Sequence, residues 1–588
     1  MASNLTWVKG SHNWNFGFQV VPEIRTVLPG SGGQSYNFSD AQTANPQVIG
    51  TTGASLASAL LGLPQQVSYS QQDYRYSWPT WGFYAQDEWK MRKNLTVTLG
   101  LRYDRFSPPH ATKGIFNSID MTTGTWLIGG GKLPPPCKSA GIAPCIPGDG
   151  TLASLPFGNH IALADTPDIR HSGKKDFGPR LGVAWRPSDE TVVRGGYGLV
   201  YDVFTGLSQE TQNTIGWWPD SQNVQLSENS VGQPLTFIGD IQDLQVSPLP
   251  GPSPWNVSGW FPDPHKKDQY SHQWNVEIQR QMTGNLMLSA AYVGSASRNL
   301  EMAQLSNNAP TPGPGTPDQV NARRPYPYFG TLFFDTSQGK SSYNSLQVRA
   351  ERRFSQGFQF LIGYTFSKSL DNGTSGWFGA ENGAGAASSA LQDPAHPELS
   401  RSVSSFDVTH YLTASGIYEL PFGKGKRWLQ SGPAAWALGG WQTNTILTAR
   451  SGQPYNLAVI GDVANLGNNI SWWNYARPNL VGNPRVANPT VQQAFNPGAF
   501  SVPSLSFGNF GRNVLRTDHV AHVDFSLFKN FPLWNETSKL EIRAEAFNLF
   551  NIMNYGAPDA LIGSPTVGRI SSVVLLPRQL QFAAKIVF

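Results

Sequence analysis

The chain has 588 residues, with 43 Lys+Arg against 39 Asp+Glu, 60 Gly, 44 Pro, 14% charged residues and 12% aromatics. So much backbone punctuation argues against a helical bundle, and so many aromatics at a net charge of +4 argue against disorder; without any run of five or six Lys/Arg, nucleic acid is not an expected partner. No stretch approaches 18 apolar residues, the densest being Val573, Val574, Leu575 and Leu576, so a helical membrane span is excluded and any meeting with lipid falls to strands.

Residues 1–16 show no basic start, no apolar run of seven and no small-residue cleavage site, unlike a secretory signal. The protein is then either cytosolic or begins naturally before Met1. Strands are predicted at 3–8, 12–21 and 34–39. Residues 51–66 carry Leu56, Ala59, Leu60 and Leu63 at helical spacing and read as a short amphipathic helix. Further strands follow at 66–77, 80–91 and 94–106. In the last of these, Leu95, Val97, Leu99, Leu101 and Tyr103 alternate with Thr96, Thr98, Gly100, Arg102 and Asp104, giving one apolar and one polar face. Cys137 and Cys145, inside a Pro/Gly-rich stretch, lack the flanking ligands of a zinc site. They suit a loop disulfide and so an oxidising compartment, with free thiols as the alternative.

The alternation returns at 176–187, 190–203, 269–282, 285–298, 343–355, 357–370, 408–420, 440–457, 519–531, 537–551 and 578–588, about seventeen strands in all. Most are near ten residues or longer, where globular strands average five or six. Very short polar turns such as Arg92-Lys93-Asn94 and Ser355-Gln356-Gly357 alternate with long Gly/Pro/Asn/Ser-rich stretches. Short turns at one end and long loops at the other describe an outer-membrane barrel, short on the periplasmic side and long outside. The expected fold is therefore all-β, a transmembrane antiparallel outer-membrane β-barrel. Counting strand directions back from the last one puts the 51–66 helix on the periplasmic side. It also makes 3–8 run downward, so an odd number of strands is expected before it.

Several segments together resemble the barrel of Oar-like TonB-dependent receptors of Gram-negative bacteria, a family abundant in acidobacteria. They include SLASALLGLPQQ, WGFYAQDEWKMRKNLTVTLGLRYDRF, DFGPRLGVAWRP, QWNVEIQRQMTGNLMLSAAYVGS, YNSLQVRAERRFSQGFQFLIGYTFSKSLD, YELPFGKGKRW, GGWQTNTILTARSGQPY, KLEIRAEAFNLFN and LQFAAKIVF, in family order over nearly the whole chain. The resemblance implies a 22-stranded barrel preceded by a signal peptide, a regulatory-like domain, a TonB box and a plug. Residues 1–588 then form one partial barrel domain, with those parts and the first strands absent. TonB would be reached only through the missing plug, and outer-membrane lipid and the barrel assembly machinery are the other expected partners. Phe582, Ile586 and Phe588 resemble the carboxy-terminal signal that this machinery reads.

No HExxH, GxSxG or Walker-type motif occurs, so no enzyme, metal or cofactor is expected. His522 with Asp524, and His396 between Asp393 and Glu398, read as polar strand and loop positions rather than metal ligands. The charges Arg102, Asp104, Arg349, Glu351, Arg353, Glu541, Arg543 and Glu545 fall on the polar face and belong in a wet lumen, lining it or meeting a plug. Trp217, Trp218, Trp255, Trp260, Trp472 and Trp473 fall in inferred outer loops, suited to stacking on sugars or peptide side chains or to packing on one another.

These residues point to the barrel of an outer-membrane TonB-dependent importer of a bulky substrate, an oligosaccharide, peptide or metal chelate. A passive porin-like barrel is the alternative, and a soluble β-rich carbohydrate-binding protein a second. A propeller requires repeats of about 40 to 45 residues, whereas the second strands of the hairpins start near 94, 190, 285, 357, 440 and 537. Expressed alone from Met1, the chain is expected to aggregate rather than reach the outer membrane, because open sheet edges are costly in lipid; recovery of a heat-modifiable, protease-resistant barrel would contradict this.

Overall fold

The computed structural model describes residues 1–27, 35–44, 52–71, 74–136, 145–146, 149–155, 158–171, 173–202, 219, 222–227, 259–373, 391–393, 395–467, 475–534 and 538–588. Period-two alternation produces one dominant sheet of 17 strands. Fifteen of them follow chain order as antiparallel neighbours: β1 (Ala2–Lys9), β2 (His12–Val21), β3 (Thr80–Arg92), β4 (Leu95–Phe106), β5 (Asp176–Ser188), β6 (Thr191–Asp202), β7 (Gln269–Thr283), β8 (Leu286–Ser306), β9 (Leu332–Ser355), β10 (Phe358–Asp371), β11 (His410–Glu419), β12 (Trp441–Arg450), β13 (Val520–Pro532), β14 (Lys539–Phe547) and β15 (Gln579–Val587). Two short pieces extend the margin, Gly259–Pro262 parallel to β9 and Ser402–Val403 antiparallel to β10. Among the described residues, β1 pairs with β2 alone and β15 with β14 alone.

The cross-strand register turns single-strand alternation into a two-sided wall. Leu99 stands opposite Leu181, Leu181 opposite Tyr197 and Tyr197 opposite Trp274. A second row runs Val276, Tyr292, Leu346, Phe366. These side chains are exposed, Leu99 by 51% and Val276 by 52%, as a lipid-facing surface requires. Trp274 lies across Gly294, where a Cβ would come within 2.4 Å of the indole. The opposite face carries Thr98, Arg102, Gln347 and Thr413.

At one end most connections are tight. Gln356 and Gly357 both take positive φ, +53° and +80°, the conformation of a type I′ hairpin turn. The exception at this end is the connection 420–440, which holds the helix Gly432–Leu438. At the other end every connection is long, and the buried apolar core of the molecule sits there. Trp126, Phe261, Phe329 and Phe334 belong to one cluster, Tyr455, Phe495, Phe500 and Phe510 to a second, and Tyr76, Trp78, Phe116 and Ile169 to a third. The described α-helices have six or seven residues, and no described helix is long and apolar enough to cross a membrane.

Two sequence expectations are corrected. The segments 34–39 and 66–77 do not join the wall: Ser35–Asn37 pairs with Gln66–Gln71, and Tyr74–Ser77 pairs with Ile24–Val27 and His110–Lys113. The reason is that β2 is taken up by β3 over its whole length, from His12 opposite Trp89 to Val21 opposite Thr80, leaving no edge between them. Residues 22–79 are then a single connection at the long-loop end. The helix Ser55–Leu60 consequently lies there and not on the periplasmic side.

Placing a charge on the outward row tests the assignment of faces. Leu181→Arg is expected to lower stability by about 2–4 kcal/mol, while Thr98→Arg on the inward face changes it little. Denaturant titration of the vesicle-embedded protein, followed by tryptophan fluorescence, measures both.

Candidate binding lumen and outer cap

Inward charges arise where the polar face of a strand carries ionisable residues two apart, since such residues share a face. In β4 the Arg102 guanidinium holds Asp104 at 2.7 Å, in the space left by Gly82, where a Cβ would lie 2.3 Å from Arg102 Nη2. In β9 Arg349 meets Glu351 at 2.5 Å, and in β14 Arg543 pairs with Glu541 while its guanidinium lies 4.6 Å from the Phe528 ring. Glu545 accepts from Ser526 Oγ at 3.4 Å. Arg353 sits within the bulge between Arg352 and Ser355 at the rim, its backbone N–H donating to the Asn285 carbonyl. Partly exposed pairs of this kind contribute little stability; their effect is a polar wall that is locally neutral.

Residues not singled out from sequence join this face. Arg180 stands between Gly100 and Gly198 in register, so no Cβ crowds its stem from either neighbour. Arg194 stands opposite Glu277. The signal was available, since Arg180, Gly182 and Ala184 alternate with the outward Leu181, Val183 and Trp185 in the same strand.

The outer connections are folded onto one another. Tyr326 and Tyr328 donate to the carbonyls of Met121 and Gly124, at 3.0 and 2.8 Å. Arg324 donates to the Asn307 carbonyl at 2.6 Å, to Thr331 Oγ1 at 3.3 Å and to the Gly467 carbonyl. Arg512 binds the Asp371 carboxylate and the Ser400 carbonyl, and Arg516 binds Asp407 and the Gly452 carbonyl. The connection 451–519 takes part in all three clasps, through the Gly467 carbonyl, Arg512 and Arg516, and is tied by them to the connections 307–331 and 372–409. Nothing in periodicity announced these contacts, because most of them join separate connections.

A buried triad ties the connection before β7 to the hairpin β8–β9. Lys266 Nζ lies 2.8 Å from Asp335 and 3.2 Å from Glu301. The fifteen steps from Leu286 to Glu301 climb about 50 Å along the strand, or about 40 Å along the barrel axis at a tilt of about 40°. That lies beyond the roughly 25 Å apolar band. Burial, together with the Asp335 charge, pushes the Glu301 carboxyl up to about 10, despite the opposing pull of Lys266.

The expected substrate-contact residues Trp217, Trp218, Trp255, Trp472 and Trp473 lie outside the described residues. For Trp260 the backbone is described, opposite Phe333, and its side chain is not. Cys145 is buried and disulfide-bonded; the other cysteine, Cys137, lies outside the described residues. Phe582, Ile586 and Phe588 are exposed by 78%, 50% and 82%. Phe582 stands opposite Ala544 and Ile586 opposite Leu540. Among the described residues no three of His, Cys, Asp or Glu converge as metal ligands. His522 and Asp524 are 3.8 Å apart, and His396 pairs with Glu398 at 3.1 Å.

A family model described as outer membrane beta barrel domain matches residues 1–581. Among solved structures, the chain is similar to the outer membrane transporter YddB from Escherichia coli (TM-score 0.47, 11% identity, covering 100% of this chain and 53% of that one). It is also similar to the siderophore receptor PirA from Acinetobacter baumannii (0.43, 10%, 100% and 54%) and to the FrpB iron transporter from Neisseria meningitidis (0.41, 11%, 99% and 53%). The chain thus spans about half the length of these proteins. No curated protein matches it.

The triad gives two expected outcomes. Lys266→Met takes the ammonium away from the buried Asp335 and Glu301 and loosens the outer segment by about 3–5 kcal/mol, whereas Glu301→Gln is tolerated. The stability that protonated Glu301 contributes is complete below its ordinary 4.5, declines as pH rises, and is gone once pH passes about 10. Hydrogen exchange of the 259–335 region is therefore faster at pH 9 than at pH 5 after correction for intrinsic rates. Glu301→Gln flattens that difference.

Proposed function

Because the chain belongs to the outer membrane beta barrel domain family, we propose that it forms the wall of a TonB-dependent receptor in the outer membrane that imports a bulky substrate. Three substrate classes suit the reading: an oligosaccharide, a peptide or a metal chelate. The observation that carries it is the combination of a very wide wall with a folded outer cap. Eight strands already enclose a space that side chains just fill. Fifteen strands in continuous register require something larger inside, a channel or a plug. The neutralised inward pairs Arg102–Asp104, Arg349–Glu351 and Arg543–Glu541 make a polar surface against which such a plug docks. The motif resemblance to Oar-like receptors supports the same reading.

Substrate contact is assigned to the outer connections, where Trp217, Trp218, Trp255, Trp260, Trp472 and Trp473 stand in sequence. Contact with TonB runs through a plug and TonB box of the kind that precede the barrel in that family, not through residues 1–588. The outward Phe582, Ile586 and Phe588 serve as the signal for the barrel assembly machinery. Chemistry on a substrate is no part of this role.

Energy dependence separates this role from passive diffusion. In cells carrying the native polypeptide, uptake of a labelled oligosaccharide, peptide or metal chelate that supports growth is expected to stop when an uncoupler collapses the proton-motive force. Uptake that continues unchanged, with a steady single-channel conductance in planar bilayers, would leave the passive pore instead.

A further inference from the structure

The connection 420–440 departs from the rule that periplasmic turns are short, and it departs toward the membrane. Lys529 in β13 stands opposite Trp441 and Ile542. By the alternation along β12 and β13, that is the same outward face as Leu447 and Val523. A lysine there would face lipid, a placement that is unfavourable and more so with depth. Instead it is 3% exposed, because the connection folds over it. Lys529 Nζ donates to the carbonyls of Trp436 and Ala437 at 2.5 and 2.8 Å. It lies 4.7 Å from the ring centroid of Phe531, 5.3 Å from that of Trp441 and 5.4 Å from that of Trp436. Trp441 Nε1 donates to the Ala437 carbonyl at 3.0 Å. The helix Gly432–Leu438 is thereby strapped to the outside of the wall at its periplasmic end.

What the strap exposes has a matching chemistry. Trp436 is 71% exposed and Leu438 50%, beside the apolar outward face. Preceding them are Lys424, which is exposed, and Arg427, whose guanidinium lies 5.1 Å over the half-exposed Trp428. Lys426 is turned to Glu419, so Lys424 and Arg427 are the two exposed cations of the strap. Aromatic rings at the edge of an apolar surface with cations just beyond match the boundary between acyl chains and phosphate groups.

We propose that the strap 424–438 is a binding site for anionic phospholipid head groups of the periplasmic leaflet, with Lys424 and Arg427 meeting the phosphate and Trp428 and Trp436 seated against the head-group ends of the acyl chains. The inference rests on the outer-membrane placement of the wall and is independent of transport.

The test uses the native polypeptide extracted from outer membranes in detergent, incubated with phosphatidylglycerol carrying a photoactivatable head group or with the matching phosphatidylcholine probe, irradiated and peptide-mapped. The phosphatidylglycerol probe is expected to label 424–438 preferentially. Lys424→Gln/Arg427→Gln, at two exposed positions that leave the Lys529 cage intact, is expected to reduce that labelling about tenfold. Labelling of the lipid-facing strands serves as the internal standard and stays constant. Equal labelling of the strap by both probes, unaltered in the double variant, would overturn the proposal and leave an apolar contact only.

Discussion

Lipid offers no hydrogen bonds to a backbone, and the rest of this structure depends on that. From β2 to β14 each wall strand has a hydrogen-bonded neighbour on both sides, and these long registers are the physical form of that requirement. Once the backbone is committed to the ladder, the side chains have two directions only. Apolar residues at one parity and polar residues at the other follow, so an Arg two positions from a carboxylate becomes a lumen pair without further design.

That commitment also explains where the core is. A wall one strand thick has lipid on one side and a wide polar lumen on the other, so it buries few side chains completely. Packing of the ordinary globular kind occurs outside the membrane, where Trp126, Phe261 and Phe329 from three connections meet Phe334 at the start of β9. Arg324, Arg512 and Arg516 add polar clasps between the same connections. The molecule therefore has two kinds of order, a hydrogen-bonded wall and a hydrophobic cap, joined through extended hairpins such as β8–β9.

The wall was legible in the sequence and the cap was not, for physical reasons. Leu99 and Arg102 reveal their faces through neighbours two residues away, so a short window suffices. Phe261 and Phe329 carry no such local mark, since their partners lie in other connections. The segments 34–39 and 66–77 show the converse error: their composition suits strands, and they are strands, yet the full-length pairing of β2 with β3 excludes them from the wall. Lys529 is the sharpest case. Its place on the outward parity of β13 makes it anomalous from sequence alone, and only the fold of 420–440 resolves the anomaly. The tryptophans proposed for substrate contact fall in sequence between wall strands, where periodicity gives no guidance to position.

The interlocked cap bears on how the exterior of this protein can vary. Surface loops that stand alone can be lengthened, shortened or exchanged one at a time, which is how exposed proteins escape agents that recognise them. Here the Gly467 carbonyl is held by an arginine from one neighbour, and Asp371 on another is held by Arg512 from the same connection. A change in one connection must be answered in at least two others. Diversification is then channelled to the tips beyond the clasps, and the clasped shoulders persist as a constant frame on the cell surface.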